Sequence, residues 1–206
     1  MTYKTEQEVF WSGKFGDAYI DRNLSDGYLA SNLNFFSKTL ARAGKPDSLI
    51  EFGANIGMNL RAIKMLFPLI HVSGVEINEK AAEILASHIG RDAVYTGSIF
   101  DYPIQKKFDV SLIKGVLIHT NPDMLSLVYR KLYESSNKFI LICEYYNPSP
   151  VEVPYRGHHD RLFKRDFAGE ILDTYNDLEL IDYGFCYKRD AAFPQDDINW
   201  FLIAKK

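Results

Sequence analysis

Glu51, Gly53, Gly57 and Glu76 carry the first chemistry that can be read from this chain of 206 residues. Ser48-Leu-Ile-Glu-Phe-Gly-Ala-Asn-Ile-Gly57 is a short apolar run that contains an acid and breaks into a glycine-containing turn, with a helix-compatible run, Met58 to Leu66, directly behind it. Gly53 allows a tight turn, Gly57 allows the next helix to sit close to a sheet, and exposed amides at the helix start favour a carboxylate or phosphate. The next apolar run, His71-Val-Ser-Gly-Val-Glu76, ends on an acid where nucleoside-binding α/β folds set a carboxylate against ribose hydroxyls. Such a carboxylate accepts from both hydroxyls of one ribose and tolerates no phosphate on that sugar. Glu51, Gly53, Ala54, Asn55, Gly57, Glu76 and Ile77 are therefore expected to bind a nucleoside cofactor. A dinucleotide fingerprint needs glycines at its first, third and sixth positions, and here the third is Asn55 and the sixth is Met58.

The pattern Glu51-x-Gly53-x-x-x-Gly57 instead resembles motif I of the class I S-adenosylmethionine (SAM) methyltransferases. That resemblance implies that Gly97, Ser98 and Ile99, in Thr96-Gly-Ser-Ile-Phe-Asp101, cover the adenine, and that Lys114 and Gly115 lie near the sulfonium and the amino-acid moiety. His119 falls a few residues on, at the boundary between cofactor and substrate. An imidazole of near-neutral pKa there can take a proton from a substrate hydroxyl or ammonium; the alternative is a histidine that only makes a structural hydrogen bond. Glu144 and His158 are the further candidates for catalytic groups.

The segment from Cys143 to Asp166 is the most unusual in the chain. Tyr145, Tyr146 and Tyr155 alternate with Arg156, His158, His159, Arg161, Lys164 and Arg165, on a backbone stiffened by prolines. Aromatics supply flat platforms, and arginines supply forked donors for phosphate or carboxylate. Tyr145, Tyr146, Arg156, His159 and Arg161 are expected to bind an anionic polyol, with a solvated loop as the alternative. Phe10, Trp11, Phe15 and Tyr19, in the polar segment Thr5 to Asn23, read as a lid that excludes water, in which Trp11 and Tyr19 meet substrate. Adjacent histidines diverge, and no Cys/His partners have a suitable spacing, so no metal site is expected.

The elements that must position these residues alternate in type. Strands are predicted at 48–52, 71–76, 93–97, 108–113, 138–145, 178–186 and 198–204, and helices at 25–43, 57–66, 78–88, 121–134 and 164–174. Alternation of this kind predicts a parallel sheet covered on both faces. The last two strands have only a loop with Pro194, Asp196 and Asp197 between them, which predicts an antiparallel hairpin. The expected fold is α/β, a three-layer Rossmann-like seven-stranded sheet with an antiparallel last strand, the class I methyltransferase fold. Residues 1–44 are expected to form a helical cap or lid and residues 45–206 the SAM-binding domain, together one compact unit. An apolar content of 47% supports a substantial core, and a net charge of −3 argues against a dedicated nucleic-acid binder. Cys143 and Cys186 read as buried thiols. The start has no signal-peptide core, and no apolar run approaches a membrane span. A cytoplasmic protein, monomer or homodimer, with neither membrane nor nucleic-acid partners, is the expectation.

The aromatic N-terminal stretch, the Glu-Phe-Gly-Ala-Asn-Ile-Gly motif, the Lys-Gly-Val-Leu-Ile-His run and the Glu-Tyr-Tyr-Asn-Pro-Ser-Pro-Val-Glu-Val-Pro-Tyr-Arg-Gly segment together resemble the pseudaminic acid biosynthesis-associated methylases. The resemblance runs from about Thr5 to Trp200. It implies a SAM-dependent methyltransferase associated with nonulosonic acid pathways, acting on oxygen or nitrogen of a sugar, sugar nucleotide or nonulosonic acid intermediate. The competing readings are a non-catalytic SAM-fold scaffold and an NAD-dependent sugar oxidoreductase. The latter lacks both the glycine pattern and a Tyr-x-x-x-Lys pair after the fourth strand.

Overall fold

In a computed structural model of the protein, which describes residues 3–20 and 25–206, apolar runs of β-branched and aromatic residues form one seven-stranded sheet. Its strands are β1 (Ser48–Phe52), β2 (His71–Glu76), β3 (Val94–Thr96), β4 (Phe108–Lys114), β5 (Ser136–Glu144), β8 (Leu178–Cys186) and β9 (Ile198–Lys205). The order across the sheet is β3-β2-β1-β4-β5-β9-β8. The first five strands pair in parallel, and β9 runs antiparallel to both β5 and β8. This is the predicted sheet, antiparallel last strand included. The chain reverses strand order between β1 and β4, and ligands of open α/β sheets bind in the crevice beyond that switch point.

Strand alternation assigns the two faces. In β5, Ile140 and Ile142 join one apolar cluster, while Leu141 and Cys143 join the other. The first cluster is closed by α6 (Leu125–Ser135) and α7 (Phe167–Thr174), through Val128, Leu132, Phe167 and Ile171. The second is closed by α3 (Asp26–Thr39), α4 (Met58–Leu66) and α5 (Glu79–Ile89), through Phe35, Phe36, Leu60, Ile63 and Leu85. Cys143 is fully buried and Cys186 partly so, both as free thiols.

The N-terminal stretch forms two short helices, α1 (Glu6–Ser12) and α2 (Lys14–Ile20), separated at Gly13. Thr5 starts α1 with a reciprocal capping box to Glu8, a spacing that the sequence displays. Asp21 to Asn23 of the expected lid lie outside the described residues. The segment after β5 is a β-hairpin, not a loop. Its limbs β6 (Val151–Glu152) and β7 (Phe163–Lys164) pair antiparallel, and Val153 N donates to Leu162 O at 2.9 Å. The hairpin turns at Tyr155-Arg-Gly-His158, where Tyr155 and His158 exchange both backbone hydrogen bonds and Arg156 and Gly157 take φ of +51° and +84°. Positive φ at both central residues gives the tight two-residue turn whose twist matches its strands. Pairing of Phe163–Lys164 also delays the helix predicted from 164, which starts at Phe167 behind an Asp166 cap.

Candidate active site

The exits of β1, β2, β3, β4 and β5 surround one cavity of about 340 Å³, a size typical of small-molecule sites. Gly53 lies on its wall, and Gly57, expected to bind the cofactor, lies behind it at the start of α4. Gly53, φ +77°, turns the chain out of β1 so tightly that an added Cβ would meet Val116 Cγ2 at 2.4 Å. Gly57, φ +83°, starts α4, and a Cβ there would meet Leu85 Cδ1 at 2.6 Å. The space for a ligand over Gly53 and the close seat of α4 on α5 both depend on missing side chains.

Glu76 ends β2 on the cavity wall, with its carboxylate 7% exposed in residue terms. Its Oε2 accepts from Asn55 N at 2.7 Å and its Oε1 from Asn78 N at 2.8 Å. Burial raises its pKa, opposed by these backbone hydrogen bonds. Glu51, fully buried, lies beneath the turn rather than on the cavity wall. Asn59 Nδ2 donates to its Oε1 at 2.5 Å, its Oε2 has no partner, and burial pushes its pKa up to about 8 against the opposing pull of that hydrogen bond and of Lys114. Lys114 lies on the wall with its ammonium over the Tyr28 and Phe35 rings at 5.7 and 5.5 Å. Burial would lower its pKa, but Tyr28, Cys143, Glu51 and Asp196 outweigh burial and hold it above the ordinary value.

Of the other expected cofactor residues, Ala54, Asn55, Ile77, Ser98, Ile99 and Gly115 line the cavity. Gly97 does not. Its amide donates to Glu76 O at 2.8 Å, and a side chain there would run into the Tyr95 ring.

At the substrate end the structure rearranges the expected set. His119 lines the cavity between the rings of Trp11 and Tyr155, with centroids 4.8 and 4.9 Å away. Its Nδ1 lies 2.5 Å from Arg161 O, and burial pushes its pKa down to about 4 against that bond. A carbonyl only accepts, so the proton sits on Nδ1 and Nε2 carries the lone pair. Glu144 does not line the cavity. Its Oε1 accepts from Val116 N and Leu117 N at 2.9 Å and its Oε2 from Ile118 N at 3.4 Å, so the carboxylate clamps the loop after β4 from behind. Burial, opposed by those amides, raises it to about 7.

His158 is likewise outside the cavity, exposed, with its ring against Phe10 at 5.1 Å. His159 is exposed, 3.9 Å from Glu152, and Tyr146 turns its ring toward Phe201. Arg161 pairs with Glu6 at 3.1 Å and lies over Phe10, so it braces α1 and is not on the cavity wall. Trp11, Tyr19, Tyr145 and Arg156 do line the cavity. The guanidinium of Arg156, over the Tyr155 ring at 5.6 Å, has no carboxylate partner among the described residues.

Gln7, Glu8, Tyr28, Asn59 and Asp196 also line the cavity and were not singled out by sequence. Only Glu8 had a visible signal, its place in the capping box. The helices α1 and α2 roof the site through ion pairs of Lys4 with Asp101 and of Asp17 with Lys80, and through Asn78 Nδ2, which donates to Asp17 Oδ1 at 2.9 Å. Among the described residues no group of three or more His, Cys, Asp or Glu side chains could hold a metal ion, and no helix is long and apolar enough to cross a membrane.

No protein-family model matches the chain, and no curated protein matches it. Solved structures do. Burkholderia thailandensis 1,6-didemethyltoxoflavin-N1-methyltransferase, with its didemethyltoxoflavin and S-adenosylhomocysteine bound, superposes with a TM-score of 0.76 at 15% identity over 100% of this chain and 92% of that one. Magnesium protoporphyrin IX methyltransferase from Synechocystis PCC 6803, with S-adenosylhomocysteine, gives 0.72 at 12% identity over 98% and 100%. A plantazolicin methyltransferase in complex with S-adenosylhomocysteine gives 0.65 at 16% identity over 97% and 94%. At these identities the likeness establishes the architecture: the chain has the fold of class I methyltransferases.

Replacing Gly53 by Val forces a β-branched residue to positive φ and into Val116. It is expected to lower stability by roughly 1–3 kcal/mol, read as the shift of the urea midpoint; an unchanged midpoint would show that the turn relaxes freely. The low pKa of His119 makes a second prediction. Between its ordinary value of 6.5 and about 4 the unfolded chain binds a proton that the folded site refuses. The contribution of His119 is therefore full above pH 6.5 and lost as pH falls toward 4, by about 2 kcal/mol after allowance for screening. The stability difference between wild type and His119→Asn should shrink by that amount from pH 7.5 to pH 4.5, and a difference that stays constant would refute the shift.

Proposed function

We propose that the protein is a SAM-dependent methyltransferase acting on a small sugar-type acceptor. The observation that carries the reading is Glu76. A carboxylate at the end of β2, held by backbone amides on the cavity wall, fits the paired hydroxyls of a ribose. Ser98 and Ile99 fit the adenine, and the space above Gly53 fits the rest of the cofactor. When bound, SAM supplies a methyl group already attached to a good leaving group. The chain's own task is then to align acceptor and methyl carbon and to exclude water, and positioning of this kind is worth roughly 7–11 kcal/mol in favourable cases. Trp11 and Tyr19 of the roof and Tyr155 of the hairpin supply the water-excluding walls.

The sugar-type acceptor, in the form of a sugar nucleotide or nonulosonic acid, is supported by two things. The cavity has in Arg156 a cation with no carboxylate partner among the described residues, suited to a phosphate or carboxylate. The four sequence segments also resemble the pseudaminic acid-associated methylases.

SAM or S-adenosylhomocysteine is expected to bind in the micromolar range, about −8 kcal/mol, and Glu76→Ala should lose at least tenfold by calorimetry. Tight NAD binding without adenosyl-sulfur binding would overturn the reading. For the acceptor, Arg156→Ala should raise the KM for CMP- or UDP-linked sugars by an amount worth about 1.5–3 kcal/mol while leaving SAM affinity intact; an unchanged KM returns Arg156 to a solvated surface.

A further inference from the structure

The ends of β1, β2 and β4 stand side by side in register. Phe52 pairs with Val75 on one side and with Ile113 on the other, so the residues that follow, Gly53, Glu76 and Lys114, form one row. Phe52, Val75 and Ile113 all join the same apolar cluster, and side chains alternate between the faces of a sheet, so the row turns to the opposite face. Two strand spacings separate Glu76 from Lys114, about 10 Å between Cα atoms. Gly53 lies between them without a side chain, and all three residues line the cavity. A carboxylate and an ammonium thus flank an open gap.

The Glu76 carboxylate has its backbone donors, whereas the Lys114 ammonium lacks acceptors. Among the described residues it makes no hydrogen bond and has no carboxylate within ion-pair distance. Beside it lie the rings of Tyr28 and Phe35, at 5.7 and 5.5 Å. Rings attract a cation but leave its three N–H donors without an oxygen. Burial works against the charge, yet Tyr28, Cys143, Glu51 and Asp196 outweigh burial and hold the pKa above its ordinary value. Lys114 and Arg156 are the lysine and the arginine on the cavity wall among the described residues, and they sit on different elements. Arg156 belongs to the hairpin turn, over Tyr155 and on the His119 side, while Lys114 ends β4 beneath α3.

We propose that Lys114 anchors the carboxylate of the cofactor's amino-acid tail, and so makes the site select an adenosyl ligand that carries one. The proposal rests on the methyl-transfer reading and assigns one end of its cofactor to a residue. A ribose resting on Glu76 has an unobstructed path for its 5′ substituent over Gly53, where a side chain is missing. In S-adenosylhomocysteine, C5′, sulfur and three carbons separate ribose from carboxylate, a linker that crosses the gap when extended. Fixing the nucleoside at Glu76 and the carboxylate at Lys114 leaves the sulfur between them. The role is one of binding and orientation, and no bond or proton of Lys114 changes.

The test is calorimetry with a matched pair: S-adenosylhomocysteine and its decarboxylated analogue, which keeps adenosine, sulfur and amine. The wild type should bind S-adenosylhomocysteine roughly tenfold to hundredfold more tightly, the worth of a hydrogen bond between charged groups. Lys114→Met removes the charge at similar length and should bring that ratio near one by weakening S-adenosylhomocysteine alone. Lys114→Arg should keep most of the ratio, and Arg156→Ala all of it. Equal affinities in the wild type, a ratio that survives Lys114→Met, or a ratio lost in Arg156→Ala overturns the proposal. If Lys114→Met fails to fold, Arg156→Ala still decides, because a carboxylate preference that outlasts Arg156 is left with Lys114 as its cation on the wall. Binding of neither ligand overturns the methyl-transfer reading and this proposal with it; equal binding of both overturns this proposal alone.

Discussion

Strand-end carboxylates accepting loop amides are the constraint on which the site depends. A parallel sheet leaves its loops to find partners for their own amides, and those beyond the carboxyl ends must do so around a cavity. Glu76 takes the amides of Asn55 and Asn78, which belong to the turns after β1 and β2. Glu144 takes three successive amides after β4. Hydrogen bonds to a charged group are worth about 1.5–3 kcal/mol each, and losing one partner of a buried set strands the others. Two side chains thus set the positions of three loops, and with them the shape of the cavity. The same bonds oppose the upward push of burial on both carboxyls.

The roof follows from a different balance. The short helices α1 and α2 have too few residues to be stable alone. They persist because their aromatic faces and polar ends find partners on two separate parts of the domain. Phe10 and Trp11 pack with Phe15, His158 and His119, so the roof and the hairpin form one aromatic layer. Glu6 and Gln7 bond the hairpin, while Asp17 and the Trp11 carbonyl bond the start of α5 through Asn78. The exposed ion pairs among these contacts are individually weak. The roof is held by their number and by the packed rings.

The site brings a neutral imidazole, a guanidinium with no carboxylate partner among the described residues and a buried carboxylate within one enclosure. Burial sets the protonation of His119, and geometry sets its tautomer. That division leaves the Nε2 lone pair of His119 free on the cavity side. Arg156 and Arg161, five residues apart in one basic run, have separate fates for a similar reason. The tight turn carries Arg156 to the cavity, while the returning limb lays Arg161 along α1.

The positions of the strands, the antiparallel last strand and the cofactor turn were legible in the sequence because each rests on a local pattern. A continuous apolar run marks β5, glycine spacing marks the turn at Gly53, and an acid at a strand end marks Glu76. Helix starts were legible where a cap was, as at Asn78. The segment after β5 was misread as a loop, since its pairing is short and its turn relies on Arg156 accepting positive φ, which composition does not announce. Glu144, His158 and Arg161 have the right chemistry for catalysis or binding, yet what they do depends on which neighbour arrives first, and those neighbours lie far away in sequence. Gln7 and Glu8 show the converse: nothing in their types predicts a place on the cavity wall, and only the docking of α1 against residues 160–161 puts them there. Local periodicity and backbone chemistry therefore determined the sheet and the cofactor turn. Long-range packing decided the acceptor end, because the direction of a polar side chain is set by the partner that satisfies it.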